Sequence, residues 1–185
     1  MSLRLRWLVL SLWLGGVVSL AGAGTNLALT PVSLKDYELV DQEGHRVFLV
    51  SEVMGNHAVV MNFIYTDCTT ACPVSTTIMK AVYERLRSQE GVRLITITVN
   101  PAVDTPARLR QFAGKYGATG SQWVWLTGDR DQIDELLSSV HAYSAEVNEH
   151  PSLILIGDPK RQRWTPLYGF PSVSTVLDQI HRLQR

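Results

Sequence analysis

Four stretches of the chain are largely apolar: HAVVMNFIY (57–65), VRLITITVN (92–100), WVWLTG (123–128) and PSLILIG (151–157). Short apolar runs rich in β-branched residues predict strands buried on both faces of a sheet. Between them the apolar residues recur at helical spacing. Over 73–89 they fall at Ile78, Met79, Val82 and Leu86, and Pro73 suits a first helical turn, where a missing N–H costs nothing. DTPARLRQFAGKYG (104–117) opens on a cap and a proline, with Asp104 expected to cap, and stops at Gly117. DRDQIDELLSSVHAY (129–143) has an acidic first turn, and SVSTVLDQIHRLQ (172–184) is amphipathic.

Two further stretches read as strands of an antiparallel kind. DYELVDQEGHRVFLV (36–50) predicts a hairpin turning at Gln42-Glu43-Gly44, and RWTPLYG (163–169) predicts an edge strand because it contains Pro166. The order is a hairpin, then β-α-β-α-β-α-β-β-α. That alternation predicts an α/β sandwich with parallel and antiparallel strands in one sheet. There is no internal repeat and no low-complexity tract.

At 185 residues the chain suits one domain with a sizeable core. Its 17 basic and 17 acidic residues cancel, which argues against a nucleic-acid surface. The first residues change the picture of where it works. MSLRLR is basic, WLVLSLWLGGVVSL is uncharged and apolar, and Ala21-Gly22-Ala23 has the small-residue form of a cleavage site. Residues 1–23 are therefore expected to be a signal peptide or an uncleaved membrane anchor, and residues 24–185 an exported domain. No cysteine follows the leader to be acylated. In an exporting cell's oxidising compartment thiols tend to oxidise.

The chain has two cysteines, Cys68 and Cys72, in YTDCTTACP, where the first buried strand gives way to a helix. Residues four apart on a helix share a face. Two sulfurs so placed can pair as a disulfide, cycle as a redox dithiol, or converge on a soft ion such as Cu(I). A helix N-terminus stabilises a thiolate. The spacing is one residue longer than the usual Cys-x-x-Cys redox motif. A structural disulfide here would close a very short loop and gain little.

As a metal site, two sulfurs are incomplete. Among the five histidines, His45 falls in the hairpin turn, His57 at a strand start, and His141 and His181 on helices. His150 stands in a connection just before a core strand, a common functional position, which favours it over the others. Asp67 and Glu149 neighbour candidate ligands and either bond His150 or are solvated. Tyr65 and Trp164 are core or rim aromatics.

These residues resemble the Sco/SenC family, thioredoxin-fold copper proteins serving cytochrome c oxidase assembly. DQEGHRVFL is similar to the family's opening hairpin, NFIYTDCTTACP to its strand and Cys-x-x-x-Cys-Pro motif, TVNPAVDTPARLRQFAGKYG to its Asp-Thr-Pro segment, and EHPSLILIG to its histidine-plus-strand segment. The resemblance runs from about Lys35 to the last helix. It departs from many relatives in having Thr-Thr-Ala between the cysteines. It implies a thioredoxin-like mixed sheet flanked by helices with an N-terminal β-hairpin. It also implies copper, as Cu(I) or Cu(II), held by Cys68, Cys72 and His150, and a cis peptide at Pro151.

The implied function is a copper chaperone, exported to the periplasm or anchored to the inner membrane, that hands copper to an oxidase subunit or another cuproprotein. Such a protein is not an enzyme in the strict sense. The alternative is a thiol–disulfide oxidoreductase in which Cys68 and Cys72 form the redox-active dithiol and Cys68 attacks a partner's disulfide. A peroxidase of the same fold lacks its usual constellation of residues.

Overall fold

The computed structural model describes residues 32–118 and 120–185. The leader expected over residues 1–23 lies outside them. No helix among the described residues is long and apolar enough to cross a membrane.

Seven strands form one sheet in the order β2-β1-β5-β4-β3-β6-β7. They are β1 (Glu38–Asp41), β2 (Arg46–Phe48), β3 (Ala58–Ile64), β4 (Val92–Thr98), β5 (Trp123–Thr127), β6 (Leu153–Asp158) and β7 (Arg163–Tyr168). The helices are α1 (Ala71–Leu86), α2 (Pro106–Lys115), α3 (Arg130–Ser139) and α4 (Val173–Leu183). β3, β4 and β5 run parallel, joined through α1 and α2. β6 lies antiparallel to β3, and the β1–β2 hairpin pairs antiparallel to β5. The mixed sheet, the opening hairpin and the edge position of the Pro166 strand are all as the sequence predicts.

The apolar runs are explained by what covers them. Val59, Met61, Phe63, Ile95 and Ile97 face one core, closed by Ile133, Leu136 and Leu137 of α3. Val60, Ile64, Leu94, Trp123 and Trp125 face the other, closed by Met79 and Val82 of α1, Leu109 and Phe112 of α2, and Val176 and Ile180 of α4. With both faces covered, alternation has no polar side to show. Gly157 is fixed by this packing, because a Cβ there would lie 2.0 Å from Cε3 of Trp164. Trp164 is thus a core aromatic.

Three local features differ from the sequence reading. β2 ends at Phe48, and Leu49–Met54 form a π-helical turn instead of more strand. Asp36 accepts the amides of Val50 and Ser51 at 2.7 and 3.1 Å, Glu52 accepts that of Phe48 at 2.7 Å, and Leu49, Val53 and Met54 turn inward. Short-range carboxylate bonds here outcompete strand pairing. The cap of α2 is Thr105, whose hydroxyl accepts the Arg108 amide, and not Asp104. The described residues contain no cis peptide, so the cis expectation at Pro151 is corrected to trans. The stop at Gly117 is as predicted. Its φ of +66° lets Ala118 and Gly117 donate to the carbonyls of Ala113 and Gly114.

Candidate metal and dithiol centre

The polypeptide leaves β3 at Ile64, crosses Tyr65, Thr66 and Asp67, and reaches Cys68 before α1 begins at Ala71. Helix α1 starts two residues before Pro73, so Cys72 lies inside its first turn and Cys68 outside it. Pro73 still falls in the first turn, where its missing donor leaves no helical bond unmade.

The two sulfurs are inequivalent for reasons the backbone supplies. The Cys72 amide donates to Cys68 Sγ at 3.3 Å. Cys68 is 7% exposed and Cys72 1%. Burial works to raise the Cys68 thiol, but hydrogen bonds from the Cys72 thiol and amide, the Thr70 amide and the Tyr65 hydroxyl outweigh it and bring it down to about 7. Burial, with the thiol's bond to Cys68, pushes Cys72 up to about 12. As pH rises through neutrality the first proton therefore leaves Cys68, and the one the pair retains is on Cys72. Both sulfurs are free thiols.

His150 lies at the same end of the sheet. Asn62 on β3 pairs with Ile154 on β6, so the antiparallel register carries residue 150 past the end of β3, beside the loop that bears Cys68. It follows a short 3₁₀ turn, Val147–Glu149, that aims the chain back into the sheet. The ring packs edge-on against Tyr65 with centroids 5.9 Å apart. Burial lowers its pKa, with the Pro151 carbonyl working against this. Its Nδ1 is buried without a hydrogen-bond partner. A buried imidazole nitrogen without a partner is costly unless something fills the vacancy, and a metal ion is one such filler.

Tyr65 thus links the two halves of the site, its ring packed against His150 and its hydroxyl among the groups that lower the Cys68 thiol. The structure brings Cys68 and Cys72 into direct contact and sets His150 one aromatic ring away. Among the described residues, no three His, Cys, Asp or Glu side chains converge closely enough to enclose an ion.

The acidic neighbours do other work. Asp67 is exposed and pairs with Arg108 of α2, and Glu149 is exposed, so neither bonds His150. His45 pairs with Asp41 in the hairpin and His57 bonds the Met54 carbonyl, both remote from the cysteines. Two groups of polar residues near the cysteines have roles the sequence reading did not assign, Asn62 having been passed over and Asp104 taken for a helix cap. Asn62, fully buried, donates to Ser75 of α1 at 3.2 Å and accepts from Thr96 at 2.7 Å, tying the start of the cysteine helix to the sheet. Asp104, 1% exposed, accepts from Thr66 through both amide and hydroxyl, and from the Thr98 hydroxyl at 2.6 Å. A polar residue inside an apolar run, as Asn62 is, was the available signal.

A thioredoxin-like sheet with a strand-to-helix dithiol and an imidazole from the facing connection defines a class of thiol- and metal-handling proteins. Within it, the SCO1/SenC family model matches residues 28–184, and the chain belongs to that family. It is 31% identical over 104 residues to the SCO1 protein homolog of Bacillus subtilis, covering 55% of this chain and 53% of the relative. The matched part is about half the length of the curated relatives.

Among solved structures, the fold superposes on BsSco with a TM-score of 0.72 at 24% identity, over 84% of this chain and 95% of that one. BsSco is described as a member of the Sco family of cytochrome c oxidase assembly proteins with a disulfide switch. Yeast Sco1 with copper bound matches with a TM-score of 0.67 at 21% identity, over 83% and 92% of the two chains. At these identities the superpositions show the fold.

Proposed function

We propose that this protein is a copper carrier, taking one copper ion as cargo between Cys68, Cys72 and His150 and passing it to an oxidase subunit or another cuproprotein outside the cytoplasm. The observation that carries the reading is the unpartnered, buried Nδ1 of His150 at the same end of the sheet as the two cysteines. The donor set fits the cargo. Two sulfurs suit Cu(I), and an added imidazole makes room for Cu(II). The lowered value at Cys68 eases its loss of a proton to an incoming copper ion, and the proton on Cys72 is the harder one for the metal to displace. Full ligation requires the connection carrying His150 to close past Tyr65 onto the sulfurs. The copper-bound state of yeast Sco1 supports the choice of cargo. The basic, apolar and small-residue order of residues 1–23 supports export to the periplasm, by cleavage or as an anchor.

The oxidoreductase reading keeps a foothold in the same asymmetry. Cys68 would attack a partner's disulfide, releasing one partner thiolate and leaving a mixed disulfide. Cys72 would then attack Cys68, closing the Cys68–Cys72 bond and releasing the second partner thiol, with two electrons passed to the partner. His150→Ala separates the readings. It removes a nitrogen from the copper site and leaves the dithiol intact. The expected result is strong loss of Cu(II) binding, a smaller loss of Cu(I) binding, and little change in the rate of disulfide reduction. Parent-like binding of both copper states would remove His150 from the site and put the oxidoreductase reading first.

A further inference from the structure

We infer that Asp104, acting through Thr66 and Arg108, is a positioning residue that latches the cysteine loop to helix α2 and holds Cys68 where the dithiol and the metal need it; this rests on the site proposed above. The loop between Ile64 and α1 has little backbone bonding of its own. Among the described residues its amides make one such bond, Cys68 to the Tyr65 carbonyl at 3.2 Å. The Thr66 amide is instead held by the Asp104 carboxylate, at 3.1 Å from Oδ2. The Thr66 hydroxyl donates to Asp104 Oδ1 and accepts from Arg108 Nε and Nη2 at 3.1 and 3.0 Å. Arg108 also bonds Asp67, the residue before Cys68.

The direction of the bonds identifies the chemistry. With both Arg108 donors pointing at it, the Thr66 hydroxyl has its proton free only for Asp104. Asp104 takes three donors, two from Thr66 and one from Thr98 on β4, and Arg108 Nε lies 3.9 Å from its Oδ1. A carboxylate has acceptors for all three donors, whereas an amide in its place would aim an N–H₂ group at another donor. The latch therefore depends on acceptor capacity at residue 104 and on a hydroxyl at residue 66. A helix cap needs neither, and Thr105 supplies that cap.

The test uses the reduced, copper-free protein and iodoacetamide at about pH 9.5, where the Cys68 thiolate is largely formed and labelling reports access to the sulfur. Thr66→Val and Asp104→Asn are expected to label Cys68 about tenfold faster than the parent, the factor that loss of a charge-assisted bond adds to a local opening equilibrium. Thr66→Ser is expected to match the parent. Far-UV circular dichroism and unfolding confirm that each variant is folded, and Thr66→Val decides the matter if Asp104→Asn does not fold. The Cu(II) absorption and paramagnetic spectra of Thr66→Val should also shift, while those of Thr66→Ser should not. Folded Thr66→Val labelling Cys68 within twofold of the parent would overturn the latch, as would Thr66→Ser opening the loop as much as Val. Because labelling needs no copper, a parent that binds no copper would sink the copper reading and leave this result standing.

Discussion

Iodoacetamide offered in limiting amount to the reduced protein at about pH 8 should label Cys68 roughly a hundred times faster than Cys72. The perturbation is a single alkylation, and the magnitude follows from the two sulfur environments. With Cys68 brought down to about 7 and Cys72 pushed up to about 12, nearly all of the pair's thiolate at this pH is on Cys68. The thiolate populations differ by about four powers of ten. Intrinsic nucleophilicity runs the other way, because a more basic sulfur attacks faster. With a Brønsted slope of about 0.4–0.5 across the difference, it returns about two powers of ten, leaving a net factor on the order of a hundred. The greater exposure of Cys68 acts in the same direction. The assay is fragmentation mass spectrometry of singly labelled protein, since a second label would fall on a sulfur that has lost its partner. An even split, or a first label on Cys72, would refute the claim that hydrogen bonds at the helix start divide the two thiols.

Metal-free protein should lose stability as pH falls below 6.5, because burial lowers the His150 pKa, so the unfolded chain takes up its proton first and the stabilisation present above that pH is lost through the folded value. The fall in melting temperature over that window should be smaller for His150→Ala, and an identical fall would place the acid sensitivity elsewhere. Gly157→Ala should destabilise the domain by about 2–4 kcal/mol in denaturant titration, because its Cβ meets Trp164 on a strand that cannot give way. A loss under about 0.5 kcal/mol would mean that the indole has a free alternative rotamer.

The architecture was legible where packing and chemistry speak with one residue type. Runs such as 57–65 and 151–157 gave buried strands because both faces of β3 and β6 meet apolar cores, and Pro166 marked an edge because a central strand would need its missing donor. The cysteines were legible as a pair from spacing, and Cys68 as the attacking thiol from its place at the strand end with Cys72 inside the helix start; how far the two sulfurs are driven apart was not, since that depends on bonds from the Cys72 amide and from Tyr65 and Thr70. His150 could be favoured only weakly from the residues, because strand order sets which connections share an end of the sheet, and that order is a tertiary property. Leu49 and Val50, the start of the Leu49–Met54 turn, were read as the end of a strand, because apolar residues fit either period until Asp36 and Glu52 supply acceptors. Asp104 was read as a cap because Asp-Thr-Pro has two candidates for that role, and only the contact with Thr66, 38 positions away, assigns it elsewhere.

The proposed cargo site closes two sulfurs and one imidazole of this chain on a single copper ion. X-ray absorption at the copper edge of stoichiometrically loaded protein tests it most directly, read for the parent and for His150→Ala in the Cu(II) state. The expected result is two sulfur ligands with the multiple-scattering signature of one imidazole, and loss of that signature in the variant with both sulfurs retained. A copper ion without sulfur ligands, or an imidazole signature that survives in His150→Ala, would contradict it.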